Sequence, residues 1–205
     1  MITKEQFEEL RRNFGKDSSF AIWKSEENVS ELSMFDTDDI LKKLNDNYIF
    51  IALNPAAAFD ESGKKDDGKN MKDFENFHSS RSNQKDYKLC HALQETKYWG
   101  SYITDFYKQI RETYSDKLKE QLVKSSDQVE KSKELLKEEI RIISKNNPNV
   151  VLIALSRETE KQLKKLFNDK YKIVYMTHYS YHYDGCSDKK IYRERVLKEL
   201  KKQGI

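Results

Sequence analysis

Tyr48-Ile49-Phe50-Ile51-Ala52-Leu53-Asn54-Pro55 is the stretch of this sequence that decides the fold. A short apolar run that ends at a turn signal is typical of a central strand of a parallel sheet, buried on both faces. Pro55 has no N–H for a sheet hydrogen bond and ends the strand. Ligands of open α/β sheets bind beyond the carboxyl ends of the strands, so Asn54 stands where a functional polar side chain is expected.

Strand and helix patterns alternate along the rest of the chain. Strands are predicted at 48–54, 98–106, 150–155 and 172–177, and helices at 4–13, from Asp36 onward, at 85–96, 116–146, 158–168 and 189–202. The long helix at 116–146 has a potential break at Ser125-Ser126-Asp127. This alternation predicts an α/β fold, a three-layer α/β/α sandwich around a central, mostly parallel four-stranded sheet. The 205 residues fit one domain, 1–205, with 56–85 as a candidate insertion.

The composition limits the functional classes. Hydrophobic residues make up 37% and charged residues 36%, and the net charge of +3 neither indicates nor excludes a nucleic-acid partner. Cys90 and Cys186 have no metal-ligand spacing and imply no disulfide framework. No apolar run has the length of a membrane span, and the first residues lack the apolar core of a signal peptide. We expect a cytoplasmic protein with no metal, no cofactor and no membrane partner.

A second informative stretch is Met176-Thr177-His178-Tyr179-Ser180-Tyr181-His182-Tyr183-Asp184-Gly185, which begins where the last predicted strand ends. Parallel strands point the same way, so His178 and Asn54 should open onto the same edge of the sheet. Asp105 ends the strand at 98–106 and is the one carboxylate predicted near this crevice. The sequence therefore predicts a site that contains Asn54 and His178.

At these two stretches the chain resembles the uracil-DNA glycosylase superfamily. Its first motif, Gly-X-Asn-Pro-Gly in the mismatch-specific and single-strand-selective branches, corresponds to Ala52-Leu53-Asn54-Pro55-Ala56. Its second motif, His-Pro-Ser or Asn-Pro-Ser, corresponds to His178-Tyr179-Ser180, and Phe74-Glu75-Asn76-Phe77-His78 resembles the segment that carries the base-stacking aromatic residue. The iron–sulfur cluster of some branches needs four cysteines, and this chain has two.

The resemblance implies a monofunctional hydrolase that cleaves the N-glycosidic bond of a damaged or deaminated, uracil-type base in DNA repair. It implies that the Asn54 amide oxygen aims a water at the sugar and that His178 donates a hydrogen bond to the leaving base. The base-binding candidates are Leu53, Phe77 and Asp105, and the DNA-binding candidates are Pro55, Tyr179, Ser180, Tyr181, Lys189 and Arg193. Lys64, Lys65, Lys69 and Lys72 are candidates for phosphate contacts across the cleft. The expected partner is DNA, single-stranded or mismatched, and the expected state is a monomer.

The chain departs from the family pattern at three positions. Ala52 and Ala56 replace the two glycines of the first motif, and Tyr179 replaces the proline of the second. An alanine restricts how closely the backbone can approach a substrate. These departures favour an alternative function, a catalytically inactive relative that binds nucleic acid or a modified base.

Simpler interpretations of the same residues stay open. Asn54-Pro55 could be a strand-ending turn, His178 a capping or core histidine, and Asp105 a structural carboxylate. The spacing of Phe74 and Phe77 also fits plain helical packing. A third functional class, a small-nucleotide binder, would need a Gly-rich loop directly after the first strand, and Gly63 and Gly68 lie too far along the chain for that role.

Overall fold

A five-stranded sheet lies at the centre of the computed structural model, which describes residues 1–56, 58–59, 65–66, 71–80 and 85–205. Its strands are β1 (Ser18–Phe20), β2 (Asn45–Ala52), β5 (Ser101–Asp105), β6 (Val151–Ala154) and β7 (Lys172–Tyr175). The strand order is β1-β5-β2-β6-β7. The four strands β5, β2, β6 and β7 are parallel, and β1 is antiparallel to β5. Two short strands, β3 (Ala58–Phe59) and β4 (Lys65–Asp66), form a separate antiparallel pair.

The predicted number of four strands in this sheet was therefore wrong by one. The additional strand is β1, in which Ser18 pairs with Thr104 and Phe20 pairs with Tyr102 of β5. Three residues are too few for an alternating or continuous apolar pattern to be recognised. The three residues are nevertheless buried, because β1 covers the edge of β5 that would otherwise be unpaired.

Helices follow or precede the parallel strands much as the sequence predicts. They are α1 (Lys4–Phe14), α2 (Asp86–Leu93), α3 (Ser115–Lys124), α4 (Ser126–Ser144), α5 (Arg157–Phe167) and α6 (Lys189–Lys202). The long helix predicted over 116–146 is two helices, α3 and α4, and the break falls at the predicted position, where Ser125 leaves the helical conformation with φ −125° and ψ 50°. The helix predicted from Asp36 is instead a pair of short 3₁₀ helices, Ser33–Asp36 and Asp38–Lys43.

The alternation of side chains along β2 creates two cores, one on each face of the sheet. Ile49 and Ile51 pack into a core with residues of α1, α4 and α5. Phe50 and Ala52 point to the opposite face, where they pack with residues of α2 and α6. Helices therefore cover both faces, which confirms the α/β class and is consistent with the predicted three-layer α/β/α fold.

The topology of the sheet places a crevice at the end of β2. The chain leaves β2 for β5 on one side of it, and later builds β6 on its other side. Because β5 and β6 lie on opposite sides of β2, the chain segments that lead to them diverge at the carboxyl ends of the strands. Ligands of open α/β sheets bind in the crevice between such diverging segments. No helix in the described part of the chain has the length and apolar character needed to cross a membrane.

A buried ion pair fixes α4 against the end of β5. Lys108 Nζ lies 2.5 Å from Glu139 Oε2, and neither side chain is exposed. The other oxygen, Glu139 Oε1, accepts hydrogen bonds from Tyr102 Oη at 2.7 Å and from Thr104 Oγ1 at 2.9 Å. Lys108 Nζ also donates to the carbonyl of Asp105 at 2.8 Å. The pair thus connects α4, β5 and the turn that follows β5.

We expect that removing one member of this pair destabilises the fold strongly. Glu139→Leu leaves an unpaired ammonium in the core, and Lys108→Met leaves an unpaired carboxylate, so each should lower the free energy of unfolding by at least about 3 kcal/mol. The double variant should lower the free energy of unfolding by less than the sum of the two single effects, because it leaves neither charge without its partner. Urea denaturation measures all three values.

The exposed pair Glu134–Lys137 on the same helix α4 is the matched control. Its alanine variants should each change the free energy of unfolding by less than about 1 kcal/mol. Additive effects of Glu139→Leu and Lys108→Met would contradict the interpretation that the two charges depend on one another.

Candidate functional site

A pocket of about 340 Å³ opens at the carboxyl edge of the sheet. Each of the four parallel strands contributes a polar side chain to its wall: Asn54 follows β2, Asp105 ends β5, Ser156 follows β6, and His178 lies three residues after β7. The remaining lining residues are Ala52, Leu53, Pro55, Ala56, Asn76, Phe77, Lys85, Asp86, Glu112, Thr113, Tyr179 and Ser180. The structure therefore brings Asn54 and His178 to one pocket, as the strand directions predict.

The side chain of Asn54 is held in one orientation by three carbonyl groups. Its Nδ2 donates hydrogen bonds to the carbonyls of Pro55 at 2.9 Å, Ile110 at 3.2 Å and Glu112 at 2.7 Å. Only the amide nitrogen can donate to carbonyls, so these contacts fix which end of the amide is the oxygen. No described residue donates a hydrogen bond to Asn54 Oδ1, which leaves this oxygen as an acceptor.

The imidazole of His178 is held as a neutral hydrogen-bond donor. Its Nδ1 faces the backbone N–H of Ser180 at 3.1 Å and the Ser180 hydroxyl at 2.8 Å. Because a backbone N–H can only donate, Nδ1 carries the lone pair and Nε2 carries the proton. Burial of the ring, assisted by the nearby Lys88 ammonium, lowers the pKa of His178 to about 4. The neutral tautomer with Nε2–H therefore dominates at neutral pH.

Asp105 is a buried carboxyl with one unsatisfied oxygen. The residue is 1% exposed, and its Oδ2 accepts a hydrogen bond from Asn76 Nδ2 at 2.9 Å. Among the described residues, Asp105 Oδ1 has no hydrogen-bond partner. Burial raises the pKa of Asp105 to about 7, although Asn76, Lys108 and Arg111 act in the opposite direction. A buried, shifted carboxyl in a cleft is typical of a functional site.

Asp86 is a second carboxyl of the pocket, and its place there was not predicted from the sequence. The interpretation of Asp105 as the one carboxylate near the crevice was wrong, because Asp86 and Glu112 also line the pocket. Asp86 begins α2, is 2% exposed and accepts a hydrogen bond from the backbone of Ser79 at 2.7 Å. Burial raises its pKa to about 6, against the effects of Ser79 and of the Tyr179 hydroxyl. An acidic first residue is common in helices, so its position alone gave no functional signal.

Lys88, two residues further along α2, is also buried and was not predicted. Its Nζ donates to the carbonyl of Tyr181 at 2.8 Å and lies 4.7 Å from the centre of the Tyr192 ring. This contact ties the segment after β7 to α2. Burial lowers the pKa of Lys88, and its charge in turn favours the neutral form of His178.

Phe77 reaches the pocket through an unusual backbone conformation. Phe74 and Phe77 both have positive φ values, 61° and 66°, so the alternative of helical packing for this pair was wrong. Phe74 packs into the core with Phe7 and Phe20, while Phe77 lines the pocket. Trp23 Nε1 donates to the Phe77 carbonyl at 3.0 Å and helps to hold this strained turn.

The other predicted site residues fall into two groups. Leu53, Pro55, Tyr179 and Ser180 line the pocket. Tyr181, Lys189 and Arg193 lie outside its wall and have partners within the fold. The hydroxyl of Tyr181 donates to Asp184 at 2.8 Å, Lys189 pairs with Glu26, and Arg193 donates to the carbonyl of Gln94 at 2.9 Å beyond the end of α2.

The predicted lysine contacts across the cleft are mostly beyond what the structure describes. Lys64 and Lys69, the side chain of Lys65, and both Gly63 and Gly68 lie outside the described residues. Lys72 is described and is exposed. Among the described residues, no three His, Cys, Asp or Glu side chains lie close enough together to hold a metal ion.

Comparisons with known proteins do not assign the chain to a family. No model of a protein family matches the chain, and no curated protein or solved structure matches it.

The titration of Asp105 should be visible in the stability of the protein. Its folded-state pKa of about 7 lies above the unfolded value of about 3.9, so its favourable contribution is fully present below about pH 4. That contribution is lost as the pH rises through about 7. Asp105→Asn has no carboxyl to titrate and keeps its stability over this range. From about pH 5 to about pH 8, the free energy of unfolding of the variant should therefore rise by about 3 kcal/mol relative to that of the wild type.

Denaturant unfolding at the two pH values measures this difference. Asp86→Asn should give a smaller shift of the same sign, because the pKa of Asp86 is raised only to about 6. An Asp105→Asn variant whose stability follows that of the wild type at both pH values would show that Asp105 titrates normally.

Proposed function

We propose that the protein hydrolyses the N-glycosidic bond of a uracil-type base in DNA, as enzymes of the uracil-DNA glycosylase superfamily do. The observation that carries the proposal is the placement of Asn54 and His178 in one pocket, each fixed by the backbone so that one amide oxygen and one ring N–H stay available. The amide oxygen can accept a hydrogen bond from water, and the ring N–H can donate one to a leaving base.

Asn54 supplies the acceptor in the proposed mechanism. Cleavage of this bond passes through a transition state in which the sugar resembles an oxocarbenium ion, so a weak nucleophile is sufficient. Asn54 Oδ1 accepts a hydrogen bond from the water and aims it at the sugar carbon. The three carbonyls that hold Nδ2 preorganise this oxygen before the substrate arrives.

His178 supplies the donor. As the glycosidic bond breaks, its electron pair moves onto the base, and negative charge collects on the pyrimidine carbonyl oxygen. The Nε2–H of neutral His178 donates to that oxygen and stabilises the charge. With a pKa of about 4, the ring is neutral at physiological pH and need not change its protonation state during the reaction.

The shape of the pocket supports recognition of a base that has been flipped out of DNA. Its volume of about 340 Å³ lies at the small end of the range of about 300–1,000 Å³ for small-molecule sites. Phe77 is an aromatic residue of the wall on which the base would stack, and Leu53 would contact the edge of the base. Ser180 and Pro55 lie at the same wall and would contact the DNA backbone.

The proposed partner is DNA, single-stranded or mismatched, bound by a monomer in the cytoplasm. Tyr179 and Tyr181 follow His178 and would stack on the bases beside the extruded nucleotide. Lys189 and Arg193 would add charge near the DNA backbone while Lys189 keeps its ion pair with Glu26 and Arg193 keeps its hydrogen bond to the carbonyl of Gln94.

A second candidate function is binding of a base or of nucleic acid without catalysis. Ala52 is 3% exposed and lines the pocket, and Ala56 lies at its exposed rim, so both place a Cβ where the related motif has glycine. Salt-dependent DNA binding without any product would support this function.

The assay uses single- and double-stranded oligonucleotides that contain uracil or hypoxanthine, with the enzyme in excess. Abasic product is expected with at least one of them. Asn54→Ala and His178→Ala should each lower the single-turnover rate by about 100-fold or more, because each removes a preorganised group. The absence of abasic product with all four substrates would exclude the catalytic proposal.

Two matched controls separate catalysis from folding. His182→Ala removes an exposed histidine of the same loop, and Asn149→Ala removes an exposed asparagine outside the pocket. Both should retain the wild-type rate. Thermal unfolding of Asn54→Ala must be followed in parallel, since its amide also ties Pro55, Ile110 and Glu112 together.

A further inference from the structure

Tyr179 stands where the related motif has proline, and its ring lies against the imidazole of His178. The centres of the two rings are 4.2 Å apart and their planes differ by 24°, so the rings are stacked. A proline would fix the backbone φ at this position, whereas Tyr179 constrains the segment through its side chain. The contacts of His178 Nδ1 with Ser180 and the stack on Tyr179 together determine the direction of Nε2–H.

The hydroxyl end of the Tyr179 side chain is tied to Asp86. The two groups share a side-chain hydrogen bond. Burial raises the pKa of Tyr179 well above its ordinary value, so the hydroxyl keeps its proton and is the donor of this bond. Asp86 is 2% exposed, and the backbone N–H of Ser79 donates to its Oδ2 at 2.7 Å. A buried carboxyl at the start of α2 therefore holds the Tyr179 ring.

The backbone of the same segment is anchored to the same helix. Lys88 Nζ donates to the carbonyl of Tyr181 at 2.8 Å. The helix α2 thus holds the segment after β7 twice, through Lys88 at the backbone and through Asp86 at the Tyr179 ring. The first anchor places the segment, and the second acts on the plane of the His178 imidazole through the stacked ring.

We propose that Asp86 and Tyr179 are positioning residues that act through His178. Asp86 holds the Tyr179 ring, and the ring fixes the plane of the imidazole, so that Nε2–H is aimed at the leaving base before the substrate arrives. The inference rests on the proposed function, in that the donor serves a leaving base. It uses the hydroxyl of Tyr179 and the ring face that lies on His178, so it is separate from the contact with DNA proposed for this tyrosine.

Single-turnover cleavage of the oligonucleotide that the wild type cleaves tests this chain of contacts. Tyr179→Phe keeps the ring without its anchor, and Asp86→Ala removes the anchor itself, so each should lower the rate by about 10-fold. The double variant should be slowed by about the same factor, because both changes break one hydrogen bond. Tyr179→Leu also removes the stack and should be slowed by about 100-fold.

The sharpest comparison uses the His178→Ala background. A residue that acts through His178 has no ring to position there, so adding Tyr179→Phe should change the remaining rate by less than about 2-fold. The dissociation constant for the DNA should also stay within about 2-fold in Tyr179→Phe and Asp86→Ala, because neither change removes an aromatic ring. Tyr183→Phe, which removes the hydroxyl of an exposed tyrosine in the same segment, is the matched control and should keep the wild-type rate.

NMR of the protein alone measures the position of the imidazole without DNA or catalysis. The ring current of Tyr179 shifts the Hδ2 and Hε1 signals of the stacked His178 upfield. In Asp86→Ala and in Tyr179→Leu both signals should move downfield, toward those of an unstacked histidine. In Tyr179→Phe, which removes a single oxygen atom, they should move in the same direction by less. The dispersion of the remaining signals shows that each variant is folded.

Three results would overturn the inference: additive effects of Asp86→Ala and Tyr179→Phe on the rate, an undiminished effect of Tyr179→Phe in the His178→Ala background, or His178 signals that do not move in these variants. Cleavage by the wild type together with any of them would leave the proposed function standing. If no oligonucleotide gives abasic product, the proposed catalysis is excluded, and the movement of the His178 signals decides the inference.

Discussion

The common direction of the four parallel strands is the constraint on which the rest of this structure depends. Each strand in the order β5-β2-β6-β7 ends at the same edge of the sheet, so residues far apart in sequence meet there. Asn54 and His178 are separated by most of the chain and need no direct contact to share a pocket. Helices on both faces bury the strands, and hydrogen bonds with the backbone orient the side chains of Asn54 and His178 beyond the strand ends.

The sequence predicted those parts of the fold that depend on periodic apolar patterns. The α6 helix has the predicted bounds, and β6 lies within the predicted run, because both have a clear apolar face or core. β1 was not predicted because three residues are too few to show a periodic apolar pattern. The pairing of Asn54 with His178 could be predicted because it follows from strand direction, whereas the burial of Asp86 and Lys88 depends on how α2 packs against the segment after β7. Local sequence does not encode that tertiary packing.

The pocket is built at a cost in stability. Asp105 has an unsatisfied buried oxygen, Asp86 is a buried acid, and Lys88 is a buried ammonium. Each would be easier to tolerate at the surface. The two acids line the pocket, and Lys88 lies on the same helix as Asp86. Proteins commonly concentrate such unfavourable features at functional sites. The electrostatic character of this pocket therefore agrees with its position at the end of the sheet.

The Asn54 amide has a mechanical consequence as well. Its Nδ2 connects the loop after β2 with the carbonyls of Ile110 and Glu112 in the connection after β5, so these two loops are cross-linked into one unit. The opposite wall, around His178, is anchored separately, through Lys88 to the carbonyl of Tyr181 and through the Tyr192 hydroxyl to the carbonyl of Thr177. The pocket thus consists of two independently braced halves. A substitution that breaks the contacts of the Asn54 amide therefore leaves the contacts that anchor the His178 wall in place.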